Sequence, residues 1–187
     1  MVEIDRQIAG QLKALRGTRG WTLEQLAEAS GVSRAMISKI ERTEASATAA
    51  LLSRLAVALD VPLSDLLAPP EVPAFVSRRA DRPRWQDPQT GFIRETVSPP
   101  LTGSSVEIVE VQLPPHAQVD YGMPAPPGYA QHVIALTGHL RIEQDQATDL
   151  GPGDALYMVP GGEFSFRNTG STPCRYLVVM ERSRRAR

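Results

Sequence analysis

Proline divides this sequence more sharply than any other residue. Of its sixteen prolines, only Pro62 precedes residue 68. Proline lacks an amide N–H and clashes with the preceding helical turn, so helices are open to the first part and largely closed to the rest. Apolar spacing agrees. Ile4, Ile8, Leu12 and Leu15 recur at helical intervals and stop at Gly17. Beyond residue 68 come short β-branched runs broken by glycine and proline. The sequence therefore predicts a helical unit over residues 1–67, a stiff linker at Ala68-Pro-Pro-Glu-Val-Pro73, a β unit over 74–182 and a solvated basic tail over 183–187.

Within the first part, Thr22 reads as an N-cap with Gln25 completing a capping box. Leu23, Leu26 and Ala27 form the inner face of that helix, and Gly31 supplies the positive φ that ends it. Ser33 caps the next helix, whose buried side carries Met36, Ile37 and Ile40. Two more helices follow, over Thr48–Leu59 and after Asp60. Five short helices in fewer than seventy residues make a compact all-α unit. Two helices joined by a tight turn at Gly31, the second with a polar outer face, have the outline of a helix-turn-helix, a shape that fits the DNA major groove.

The second part reads as all-β. Candidate strands are 74–78, 92–97, 105–113, 132–136, 139–144, 155–159, 163–168 and 176–181, separated by turn signals such as Gly151-Pro-Gly-Asp154 and Pro160-Gly-Gly162. Many short strands point to a sandwich or small barrel. Net charge is only −1, so a nucleic-acid partner has to be met by a local basic face. Cys174 is the only cysteine, which excludes an internal disulfide and a cysteine-based zinc framework. The start Met-Val-Glu-Ile-Asp has no signal-peptide pattern, and no apolar run reaches membrane-spanning length, so a soluble cytoplasmic protein is expected.

Leu-Ala-Glu-Ala-Ser-Gly-Val-Ser at 26–33, Ile-Ser-Lys-Ile-Glu-Arg at 37–42 and Ala-Val-Ala-Leu-Asp-Val-Pro at 56–62 resemble the Cro/C1-type (XRE) helix-turn-helix family. The resemblance implies a five-helix, lambda-repressor-like DNA-binding domain. It implies base readout by Arg34, Ala35, Ser38 and Lys39 and phosphate contacts from Arg19, Thr22, Ser33, Arg42 and Thr43. It also implies a structural ion pair between Arg16 and Glu41. The sequence departs from the family where Thr43 replaces a glycine, Ala47 a proline and Leu23 a glutamine.

In the β unit, Gln131-His-Val-Ile-Ala-Leu-Thr-Gly138 and the stretches 150–154 and 164–168 resemble the two cupin motifs. A cupin is a double-stranded β-helix, or jelly-roll barrel. Metal-binding cupins use a glutamate where this chain has Gln131 and a histidine where it has Phe164, while Pro124-Ala-Pro-Pro127 occupies the region of the histidine pair. The expectation is thus a barrel without metal or cofactor and without catalysis. Tyr121, Met123, His132, Leu136, Arg141, Tyr157, Met158, Phe164 and Phe166, chosen by strand parity, are the expected lining of an effector pocket. Taken together, the chain resembles the XRE–cupin regulators. That implies double-stranded operator DNA as partner, a homodimer, a small-molecule effector and no membrane. A cupin enzyme fused to a DNA-binding module, or an antitoxin-like repressor bound to a protein partner, are the competing classes.

Overall fold

A computed structural model describes residues 2–67, 76–99, 104–122 and 128–182. The chain separates into two compact units between Glu71 and Val72. The expected linker, Met123, Pro124-Ala-Pro-Pro127 and the basic tail lie outside the described residues.

The first unit has helices α1 (Val2–Thr18), α2 (Leu23–Ser30), α3 (Arg34–Glu41), α4 (Ala49–Ala58) and α5 (Leu63–Leu67). Their boundaries follow from local chemistry. The Thr22 hydroxyl accepts from the Gln25 amide at 3.2 Å, and the Gln25 side chain accepts from the Thr22 amide at 2.8 Å. This satisfies two N–H groups that a helix start otherwise leaves unpaired. Gly31 takes φ 65° and donates its N–H to the Ala27 carbonyl, closing α2. Ser33 then accepts from Met36 at 3.2 Å to open α3. Inside, Leu12, Leu26, Ile37, Leu52, Leu55, Leu59 and Leu66 are all fully buried. α1 packs on α3 and α5, and α2 on α3 and α4. Gln7 ties the two ends of the unit by donating to the Leu67 carbonyl at 2.6 Å.

The second unit has ten strands: β1 (Arg84–Gln86), β2 (Ile93–Thr96), β3 (Val106–Leu113), β4 (Gln118–Tyr121), β5 (Tyr129–Thr137), β6 (Leu140–Glu143), β7 (Ala147–Leu150), β8 (Ala155–Met158), β9 (Phe164–Asn168) and β10 (Cys174–Arg182). They form two antiparallel sheets, β1-β2-β3-β10-β5-β8 and β4-β9-β6-β7. Side chains of the two sheets meet face to face: the Phe166 ring stacks on Tyr176 at 5.6 Å and 13°. Asn168 is fully buried and donates to the Leu113, Pro114 and Thr172 carbonyls, fixing the end of β9 against the opposite sheet. At the β5–β6 turn Gly138 has φ 78°, and a Cβ there would stand 2.9 Å from the Cys174 backbone. That turn is thus closed to any larger residue.

Three strands went unread in the sequence: β1, β4 and β7. Each has three or four residues, too few for alternation to show. The strand expected at 74–78 does not form where it is described. Residues 76–78 are irregular and lead into a 3₁₀ turn at Arg79–Asp81.

Candidate nucleic-acid interface and barrel interior

The helix-turn-helix presents one polar face. On α3, Arg34, Ala35 and Lys39 are exposed and Ser38 is partly exposed, while Ile37 and Ile40 are buried on the other side. Arg16 holds this helix from behind. Its Nε and Nη2 donate to the two Glu41 carboxylate oxygens at 2.7 and 2.9 Å, and its Nη1 donates to the Trp21 carbonyl at 2.7 Å. The hydrogen bonds from Arg16 to Glu41 raise the guanidinium pKa above its ordinary value. A bidentate pair of this kind fixes direction as well as distance, so α1 sets the pitch of α3.

The expected phosphate contacts surround that face. Thr22 and Ser33 cap α2 and α3, leaving exposed N–H groups and the positive ends of the helix dipoles beside them. Arg19 lies over the Trp21 ring, 5.4 Å from its centroid. Arg42 bonds the Ser38 hydroxyl and forks onto Glu44 at 2.7 and 2.8 Å. Thr43 has φ 60°, the left-handed conformation in which the family glycine would be unstrained. Two of the basic groups are held by carboxylates: Arg34 by Glu24 at 2.8 Å and Arg42 by Glu44. Both pairs are solvent-exposed and therefore weak, so phosphates or bases can displace the carboxylates.

The expected effector lining divides between the two sides of the sheets. Tyr121, Phe164 and Phe166 face the interior as one aromatic cluster, with Tyr121 stacked on Phe164 at 4.9 Å and 14°. Desolvation pushes the Tyr121 hydroxyl up to about 12. Met158 is also buried inside. His132, Tyr157 and Arg141 are corrections. His132 and Tyr157 pair across β5 and β8 on the outer face, their rings 5.1 Å apart, and Tyr157 is 58% exposed. Strand parity decides it: Gln131, Val133 and Ala135 are the buried set on β5, so His132 must point the other way. Arg141 lies between the buried residues Leu140 and Ile142 and forks outward onto Asp149 at 2.8 and 2.7 Å. Leu136 falls opposite a register shift between Arg175 and Tyr176 and is half-buried on the outer parity.

The interior holds a charged pair that the sequence did not mark. Arg94 on β2 is 5% exposed and donates to Glu107 at 2.7 Å and to the Thr96 hydroxyl at 3.2 Å. Gln131 is also 5% exposed. Cys174 is fully buried, and burial pushes its thiol up to about 11, which leaves it a poor nucleophile. Two described residues, Gln131 and Phe164, stand where metal-binding cupins have ligands and are poor donors themselves. The Gln131 amide and the Phe164 ring replace carboxylate and imidazole donors, and His132 points outward. Among the described residues no three His, Cys, Asp or Glu side chains converge on one point.

A groove of about 370 Å³ opens between β6–β7 and the edge strand β8, lined in part by Ile142, Thr148, Leu156 and Met158. It lies where the edges of the two sheets come together without pairing.

Residues 12–66 match the helix-turn-helix family model and residues 109–180 the cupin domain model. The chain is 31% identical over 172 residues to the HTH-type transcriptional regulator SutR of Escherichia coli (strain K12), covering 91% of this chain and 92% of that protein. A solved structure of an HTH_3 family transcriptional regulator from Vibrio cholerae superposes with a TM-score of 0.82. It is 26% identical and covers 98% of this chain and 99% of its own.

Proposed function

The chain belongs to the XRE-type helix-turn-helix transcriptional regulators with a C-terminal cupin domain, and on that premise we propose that it binds operator DNA as a two-fold dimer under the control of a small molecule held in the cupin barrel. The observation that carries the DNA half is the exposed row Arg34, Ala35, Ser38 and Lys39 on a helix braced by Arg16 and Glu41. Arginine bonds guanine O6 and N7 in a bidentate way, and alanine packs on a thymine methyl. Arg19, Thr22, Ser33, Arg42 and Thr43 fix the register on the phosphates. Each dimer then sets two such helices about 34 Å apart, one turn of DNA.

The outer face of the six-stranded sheet supports pairing. Tyr157 and Val159 stand 58% and 54% exposed on it or at its edge, beside half-buried Ile134, Leu177 and Val179. Gln131 and Phe164 in place of ligating groups support a barrel that binds without metal and does not catalyse. No described helix is long and apolar enough to cross a membrane, and a regulator that works on operator DNA acts in the cytoplasm. Selection of bound sequences from a random DNA pool tests this reading. It should return a palindrome with half-sites about 10 base pairs apart, centre to centre. A single unpaired half-site would overturn the dimer.

A further inference from the structure

Two carboxylates lie against arginines on the polar face of the helix-turn-helix, and they hold them differently. Arg42 is engaged at every nitrogen. Its Nε and Nη2 donate to the two Glu44 oxygens and its Nη1 to the Ser38 hydroxyl. Arg34 is engaged at one. Its Nε lies 2.8 Å from Glu24 Oε1, and its two Nη groups donate to no described residue. The contact bridges two helices, since Glu24 stands in the first turn of α2 and Arg34 is the first residue of α3. The Thr22 and Ser33 caps fix both helix starts, so the spacing of the two side chains is set by the turn between them.

Guanidinium geometry makes this difference matter. An arginine meets guanine O6 and N7 with two parallel N–H groups. It can offer them end-on, from Nη1 and Nη2, or side-on, from Nε and one Nη. A carboxylate on Nε closes the side-on mode and leaves the end-on mode free. Arg34 can therefore read a base with Glu24 still in place, whereas Arg42 must first let Glu44 or Ser38 go. With side chains 66% and 62% exposed, the Arg34–Glu24 pair is weak in the free protein. Docking on DNA removes water around it, and the same contact counts for more in a lower dielectric. The first turn of α2 also suits a carboxylate, because the helix dipole is positive there. A negative group at that point repels the phosphates that would otherwise draw Arg34 off the base edge.

We propose that Glu24 is a positioning residue for base readout. It holds Arg34 by Nε so that the guanidinium meets a guanine end-on, and its charge keeps that arginine away from the phosphates. This deepens the operator reading above, on which it rests.

Binding-site selection followed by gel-shift titration of the full-length protein at fixed salt tests the assignment. The guanine in question is the position whose preference Arg34→Ala relaxes. Glu24→Ala should bind unrelated DNA several-fold tighter, having lost one negative charge near the phosphates. Its preference for guanine at that position should fall by about three- to tenfold, a part of what a whole bidentate contact supplies. Glu24→Gln keeps an acceptor for Nε without the charge. It should bind unrelated DNA tighter in the same way and retain most of the guanine preference. In an Arg34→Ala background, Glu24→Ala should no longer alter discrimination there. Glu24 is exposed, so each variant should keep its melting temperature. An unchanged guanine preference in Glu24→Ala overturns the proposal, and so does an equal loss at every position or the same loss without Arg34. Each of these leaves the operator reading standing. Failure of the unaltered protein to select any sequence would instead overturn that reading, and the role of Glu24 with it.

Discussion

The helical unit and the β unit each hold an arginine–glutamate pair away from solvent, and the two pairs are completed differently. Arg16 and Glu41 meet at two points, with side chains 17% and 8% exposed, and the third Arg16 contact goes to the Trp21 carbonyl. Arg94 meets Glu107 at one oxygen and spends another donor on Thr96. The first pair is closed on itself and spans two helices, so it holds shape. The second joins neighbouring strands of one sheet at a single carboxylate oxygen, so it adds to a pairing the backbone already makes. A buried ion pair is thus not one kind of object. What distinguishes a brace is that it joins elements no backbone ladder connects.

The largest effect expected from this comparison is in the brace. Glu41→Ala leaves a guanidinium uncompensated between α1 and α3. Breaking a buried pair from one side costs about 3–5 kcal/mol, and Arg16 and Glu41 are well enough shielded for the lower part of that range. Urea denaturation should show the loss, and operator binding should fall with it because α3 loses its support. A cost near that of a surface pair, below about 1 kcal/mol, would break the comparison by making the brace ornamental.

Next in size is the reading face itself. Arg34→Ala should cost about 1–3 kcal/mol of operator affinity and relax discrimination at one base pair. Arg42→Ala should instead weaken all sequences alike and reduce the salt slope by about 1. Binding-site selection with each variant distinguishes the two. Unchanged selected sites with Arg34→Ala would move base readout away from the start of α3.

The two units were not equally legible from sequence. In the helical unit, a 3.6-residue period, two capped starts and a glycine C-cap fix the phase of every helix, so the inner and outer faces follow. In the β unit, alternation shows two faces but not which of them is the core. His132 and Gln131 illustrate this. The polar amide is the buried one, and the ring that looked fit for a pocket lies outside beside Tyr157. Arg94 was hidden in the same way. In Phe92-Ile-Arg-Glu-Thr-Val97 an inward arginine looks like the solvent side of a strand, and only its contact with Glu107 reveals the reverse. The inward cluster of Tyr121, Phe164 and Phe166 was readable because aromatic residues of one parity seldom face water together.

Thr43 offers a smaller and opposite effect. A β-branched residue at φ 60° is held in a conformation that costs roughly 1–2 kcal/mol relative to one without a Cβ. Part of that gain is offset by the extra freedom glycine has when unfolded. Thr43→Gly should therefore raise stability by about 1 kcal/mol or less, seen as a higher denaturation midpoint at unchanged slope. A drop in stability would mean the Thr43 side chain makes a contact worth more than its strain.

The smallest effect belongs to a third pair, Arg141 and Asp149, whose side chains are 39% and 64% exposed on the outer face of the barrel. Its geometry is as good as that of the brace, with two N–H groups on two carboxylate oxygens. The bonds to Arg141 lower the Asp149 pKa, and Arg141 is raised by the same bonds. Water and salt nevertheless screen exposed charges, and ordering two long side chains consumes most of what the contact returns. Arg141→Ala should therefore leave the melting temperature within error. If instead Arg141→Ala lowered it by several degrees, exposure would be a poor guide to what a bidentate pair contributes. The brace between α1 and α3 would then owe its strength to geometry rather than to shielding.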